Sequence, residues 1–248
     1  MRVIVFTGPS LPPSIANAQL EADIRPPVSQ GDVLRAVRDD PAIIGIVDGH
    51  FHQVPSVWHK EILWAMSHGI HVIGSSSMGA LRAAELWQFG MVGIGWVFEA
   101  YRDGLLTDDD EVALAHGPTE LDFIGLSVPM VNIRRTFDAA TEAGVLGADS
   151  RAMLLGVAKA LHYPERTFER ILERAGTVGL DQSETTALEA WLLHGRIDQK
   201  REDALDMIRY IRTISEAGLK PKQADYRFEY TDMWDAVVNP IEPGPQTD

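Results

Sequence analysis

The 248-residue chain contains no cysteine. That excludes disulfides, thiolate metal sites, a cysteine nucleophile and any persulfide carried on the chain's own sulfur. Positive charge is also scarce, with 22 Lys and Arg against 36 Asp and Glu and a net charge of −14. A surface this acidic repels phosphate backbones and anionic lipid, so neither nucleic acid nor a membrane is expected as a partner. No stretch approaches the ~20 apolar residues of a membrane span. Met1-Arg2-Val3-Ile4-Val5-Phe6 is too short and too soon polar for a signal peptide. The expectation is a soluble, cytoplasmic protein.

What is present is apolar sequence in short runs, 45% of the chain in all, enough to bury one sizeable core. Val3 to Thr7, Ile43 to Val47 and Ile70 to Ile73 read as buried strands. Asp32 to Val37, a stretch from near Pro55 to Ser67, and a segment starting near Ser77 read as helices between and after them. Continuous apolar strands alternating with helices predict a parallel sheet covered on both faces. Beyond about residue 90 the pattern turns helical, over 96–102, 130–143, 150–162, 164–175, 183–195 and 198–217. The fold class expected is α/β, a parallel-sheet core with flanking helices plus a helical C-terminal part. The boundaries expected are 1–145 for the core with the site, 146–238 for the helical region and 239–248 for a flexible, Pro-rich tail.

Ligands of parallel α/β sheets bind at the carboxyl ends of the strands, and three features converge there. Asp48-Gly49 closes the second strand, Lys60 lies in the first turns of the next helix, and Ser77 sits between the third strand and its helix. Gly74-Ser75-Ser76-Ser77-Met78-Gly79 is similar in form to a nucleophile elbow, whose following amides, Met78 and Gly79, can hold an oxyanion. The same serines can equally be plain helix caps. Lys60 is the only lysine before Lys159, in a stretch where arginine supplies every other side-chain positive charge. A desolvated lysine can act as a base, which arginine cannot. A solvated lysine on a helix face is the plainer alternative. His59, about 100° away on the helix, is a reserve base. His50 and His52 flank a strand end beside Asp48, but no further ligand is placed, so no metal site is read. Asp108-Asp109-Asp110-Glu111 is either a solvated loop or a docking patch for a basic partner.

These motifs resemble the TfuA-like family. The resemblance rests on Asp48-Gly49, Trp58-His59-Lys60-Glu61-Ile62-Leu63, Ser77-Met78-Gly79-Ala80-Leu81-Arg82-Ala83-Ala84-Glu85 and Phe98-Glu99-Ala100-Tyr101-Arg102-Asp103-Gly104. His116-Gly117-Pro118 and Val131-Asn132-Ile133-Arg134 also fit. It covers roughly residues 3 to 137. The resemblance implies a partner of a YcaO protein in peptide-backbone thioamidation, a post-translational modification of ribosomally made peptides. It further implies hydrolysis of the C-terminal thioacid of a ThiS-type, ubiquitin-like sulfur carrier by a Ser-Lys pair, which maps onto Ser77 and Lys60. Met78, Gly79, Asp48 and Gly49 would bind the oxyanion and substrate. No cofactor and no metal is implied, and the peptide substrate is reached through YcaO. Two other readings stay open: a non-enzymatic adaptor that docks YcaO and its peptide, and a general esterase or amidase.

Overall fold

The computed structural model describes residues 1–51, 54–176 and 179–239. His52 and the tail from 240 onward lie outside the described residues. The elements in chain order are β1 (Val3–Phe6), α1 (Pro13–Gln19), β2 (Asp23–Arg25), α2 (Asp32–Val37), β3 (Ile43–Ile46), α3 (His59–Ser67), β4 (His71–Ser75) and α4 (Met78–Leu86). They continue with β5 (Val92–Ile94), α5 (Trp96–Arg102), α6 (Met130–Glu142), α7 (Ala148–Ala160), α8 (Phe168–Ala175), α9 (Gln182–Leu192), α10 (Gln199–Ala217) and α11 (Asp232–Val238).

The five strands form one sheet in the order β2-β1-β3-β4-β5, with every neighbouring pair parallel. The three central strands are the expected apolar runs. β2 and β5, the edges, are three residues each and only partly buried, so neither carries a continuous apolar signal. The β3–α3 connection also differs from expectation: α3 begins at His59, and Pro55 precedes it with its carbonyl accepting from the Gln30 amide.

Strand alternation divides the core in two. Ile4, Phe6, Ile44, Ile46 and Val72 face α2, α3, α4 and α5 in one cluster. Val3, Val5, Ile43 and Ile73 face the other way, toward α1 and the Ala204, Met207, Ile208 and Ile211 stripe of α10. The C-terminal helices therefore play two roles. α6 to α9 share a core of their own around Phe137, Leu154, Phe168, Ile171 and Leu188. α10 returns to the sheet and covers a face that α1, at seven residues, is too short to cover alone.

The acidic run is split: Asp108 and Asp109 are exposed, as a solvated loop would have them, whereas Asp110 and Glu111 turn inward and are paired. Asp110 pairs with Lys159 and with the buried guanidinium of Arg166, and Glu111 takes both Arg134 nitrogens at 2.8 Å. Burial opposes the charged form of Asp110. Its hydrogen bonds from Lys159 and Arg166 outweigh that and hold it below the ordinary carboxylate range.

α4 approaches the sheet closely enough to need two glycines. A Cβ on Gly79 would lie 1.7 Å from the Ile46 carbonyl oxygen, and one on Gly74 would lie 2.0 Å from the Gly79 carbonyl. The space at these positions is filled by the protein's own backbone, so these glycines do not leave a groove for a substrate tail. Gly79→Ala is accordingly expected to cost about 3 kcal/mol or more, read from the denaturant midpoint.

α10 also caps α5. The Asp203 carboxylate accepts from the Trp96 amide at 3.1 Å and the Val97 amide at 2.7 Å, with the Gln199 side chain donating at 2.6 Å. Burial nevertheless raises its pKa to about 6. The folded state therefore holds this proton where the unfolded chain has lost it, so the contribution of Asp203 is present at low pH and disappears as pH rises from about 4 through about 6. The stability of the wild-type protein relative to Asp203→Asn should fall by about 3 kcal/mol across that window. Parallel denaturant titrations of the two proteins read it.

Candidate active site

The strand order changes direction between β1 and β3, and a cleft of about 430 Å³ opens near the carboxyl ends of these strands. Its lining includes Asp48, Gly49, His50, Ser77, His116 and Lys200. Asp48, just past β3, is buried, and its Oδ2 accepts from the Gly8 and Ser10 amides at 2.9 and 3.0 Å. The Ser10 hydroxyl donates to Oδ1 at 2.6 Å. Asp48 thus ties the loop after β1 to the end of β3. Gly49 is packed so tightly that a Cβ would meet the Met78 side chain at 2.7 Å and the Val28 carbonyl at 3.0 Å.

Lys200 enters from α10. Its side chain is 2% exposed, its ammonium donates to the Val112 carbonyl at 2.7 Å and stands 4.0 Å from Asp48 Oδ1. Burial pushes its pKa below the ordinary lysine value, while Asp48 and Asp198 pull the other way. A lysine whose charge is penalised by burial is the kind that serves as a base.

Ser77 occupies the N-cap of α4, yet its side chain makes no capping hydrogen bond. The plain helix-cap reading is therefore not what the geometry displays. Its two neighbours are turned elsewhere. Ser75 Oγ lies 2.8 and 2.9 Å from the Ile94 and Asp203 carbonyls, which share its one proton. Ser76 sits at φ +67° with its hydroxyl buried and without a partner among the described residues. The strained residue of the elbow is thus Ser76, and the hydroxyl that lines the cleft belongs to Ser77. The Gly79 amide is taken by the Val47 carbonyl at 3.2 Å. The Met78 and Gly49 amides have no partner among the described residues.

The structure does not bring Lys60 to this cleft. Its ammonium donates to the Thr231 hydroxyl at 3.2 Å and lies 5.5 Å from the ring centres of both Phe228 and Trp234. It fastens the C-terminal segment to α3. His59 is likewise engaged outside the cleft, its Nε2 2.7 Å from Glu85 Oε2, a carboxylate that Arg82 also holds. Glu61 of the same motif accepts from the Gly31, Leu34 and Trp58 amides and so caps α2 as well as its own helix. The contacts of His59, Lys60 and Glu61 thus lie outside the cleft.

Sequence reasoning missed Lys200 and His116 as cleft residues. A signal for Lys200 was present. At spacings of 4, 7, 8 and 11 it precedes Ala204, Met207, Ile208 and Ile211, which puts a lysine on the apolar stripe of its helix. His116 sits on a short hairpin bridged to Gly125, with Phe123 packed edge-on against its ring at 5.7 Å. His50 faces the same cleft, and burial, with the neighbouring His116, keeps its pKa low.

A doubly wound α/β protein with a buried lysine, a carboxylate and an uncapped serine at its switch point is the class this fold and site define. Residues 48–167 match the sequence model of the family described as TfuA-like protein, and this stretch is a TfuA-like domain. No curated protein matches the chain. Asp48, Ser77 and His116 fall inside the matched stretch, and Lys200 lies beyond it.

Removing the orphaned hydroxyl next to the cleft serine tests how the elbow is built. Ser76→Ala should stabilise the protein by about 1 kcal/mol, because it deletes a buried, unpartnered polar group without adding volume. Thermal and denaturant unfolding measure the gain.

Proposed function

We propose that this protein is the TfuA-like partner of a YcaO enzyme in peptide-backbone thioamidation. In this reading the cleft hydrolyses the C-terminal thioacid of a ThiS-type sulfur carrier and releases hydrosulfide for the YcaO reaction. The TfuA-like domain supports the pathway. The observation that carries the chemistry is the uncapped Ser77 hydroxyl lining one cleft with the buried, charge-disfavoured Lys200.

Neutral Lys200 takes the proton of Ser77, and Ser77 Oγ attacks the thioacid carbonyl carbon. The negative oxygen that forms is held by the Met78 and Gly49 amides, each such donor being worth roughly 3 kcal/mol. When the carbon–sulfur bond breaks, the proton on Lys200 leaves with the sulfur as hydrosulfide. The resulting ester on Ser77 is opened by a water that Lys200 deprotonates, which returns the carrier as a carboxylate and restores the serine. A cleft of about 430 Å³ admits a slender chain terminus and excludes a folded protein, which suits a reacting group at the end of a carrier tail. Asp48 holds Lys200 in place and shapes the loop after β1; it has no free edge to offer a substrate. Lys60 and His59 stay outside this mechanism.

A docking role beside the chemistry draws support from the hairpin that carries His116. Leu121, Ile124 and Leu126 are each more than half exposed on it, beside the cleft.

Intact-mass spectrometry of a thiocarboxylated ThiS-type carrier is the test. The unaltered protein should convert thioacid to carboxylate, and Ser77→Ala and Lys200→Met should each slow this on the order of 10³-fold. Lys60→Ala should keep the chemistry. Undiminished conversion by Ser77→Ala would sink the hydrolase reading in favour of a non-enzymatic adaptor. Because the base must be neutral, the rate should rise with pH, and burial places the midpoint below the ordinary lysine value of about 10.4.

A further inference from the structure

We propose that Asn132 is a positioning residue for Lys200, holding the first turn of α10 against α6 so that the lysine stays in the cleft. This rests on the Ser77–Lys200 reading above.

Lys200 is the second residue of α10, in a first turn whose amides lack helical partners and which frays readily. Asn132, on α6 and nearly buried, grips that turn with both ends of its amide. Its Oδ1 accepts from the Lys200 backbone amide at 3.1 Å, and its Nδ2 donates to Asp198 Oδ1 at 2.9 Å. The same Asp198 oxygen caps α10 by accepting from the Arg201 amide at 3.2 Å. Two other α6 side chains brace the approach. The Thr136 hydroxyl accepts from the Ile197 amide at 3.0 Å, and Arg135 donates to the Gln199 side chain at 2.9 Å. Among these only Asn132 bonds to Lys200 itself. The position needs a group that donates and accepts at once, which neither a carboxylate nor an aliphatic side chain of this size supplies.

The groups facing the lysine define what its release would change. They are Asp48 from just past β3, the Asp198 cap, the Val112 carbonyl from the segment after α5, and His50 and His116 on the cleft lining. If the first turn of α10 loosens, water reaches the ammonium and its burial penalty shrinks, while Asp48 and Asp198 continue to favour the charge. The pH at which the lysine becomes neutral then moves upward.

The test compares Asn132→Leu, which removes both bonds, and the milder Asn132→Asp, which keeps the acceptor and loses the donor. Asp198→Asn, which retains the cap oxygen and an acceptor for Asn132, serves as the conservative control. Per molecule of folded protein, judged by circular dichroism, both Asn132 variants should lose about tenfold or more in the kcat for thioacid hydrolysis with KM little changed. The pH–rate midpoint of Asn132→Leu, which adds no charge, should rise by about one unit; Asn132→Asp should rise further because its new carboxylate also favours the ammonium, while Asp198→Asn stays near or below the wild-type midpoint. A second readout needs no activity: acetic anhydride labelling of Lys200, run above the midpoints of all the proteins so that the amine is neutral in each and only its access differs, and followed by mass spectrometry, should be slow in the wild-type protein and several-fold faster in the Asn132 variants. Unchanged labelling of Lys200 in both variants overturns the proposal, as does an unchanged midpoint in active variants. A wild-type protein that labels as expected but fails to hydrolyse the thioacid overturns the hydrolase reading instead and leaves the positioning role standing.

Discussion

Asp48 and Lys200 form a buried pair on which three separated parts of the chain depend. The carboxylate gathers the loop after β1 by two amide bonds and one hydroxyl bond, and it ends β3. The ammonium reaches it from α10, more than 150 positions later in the chain. Desolvation makes such a pair costly to assemble, and removing one partner is costlier still because the other charge is left stranded. The Val112 carbonyl, which takes one ammonium proton, and the Gly8 and Ser10 groups, which bond to the carboxylate, reduce that cost. A charge kept in so dry a setting is hard to justify by stability, and its retention beside an uncapped serine is the physical argument for chemistry at this place.

The rest of the architecture holds these two residues still. Gly74 and Gly79 let α4 seat directly on β3 and β4, which fixes where Ser77 begins its helix. Arg134, Lys159 and Arg166 draw the acidic run between α5 and α6 inward, and Val112, the carbonyl partner of Lys200, follows that run directly. α6 then grips the start of α10. The electrostatic network within the helical region thereby reaches the cleft through a chain of hydrogen-bonded residues.

The central strands, most of the helices that cover them and the place of Ser77 were legible because they rest on local pattern: buried apolar runs, Gly stops, and a serine between strand and helix; α1 was not read. The edge strands β2 and β5 were not, since three half-buried residues such as Asp23-Ile24-Arg25 carry no run of their own. Lys60 drew attention by rarity, but rarity is a property of composition, whereas a base is made by what surrounds it. The aromatic rings of Phe228 and Trp234 claim Lys60, and only the tertiary fold brings them there. Lys200 reads as one charge among Asp198-Gln199-Lys200-Arg201-Glu202-Asp203 until the apolar stripe of α10 is placed against the sheet. The pairing of Asp110 and Glu111 was hidden for a similar reason, because their cations arrive from three different helical or loop positions.

The return of α10 to the sheet has a consequence for the order in which the molecule can become itself. During synthesis Ser77 and all five strands leave the ribosome long before residue 200. Until then Val3, Val5, Ile43 and Ile73 have only α1 above them. The nascent chain therefore carries an uncovered apolar sheet face and a cleft that still lacks Lys200, a state inclined to associate. Docking of one late helix covers the face and completes the cleft in a single event, so that the last lining residue of the cleft and the last cover of the sheet arrive together.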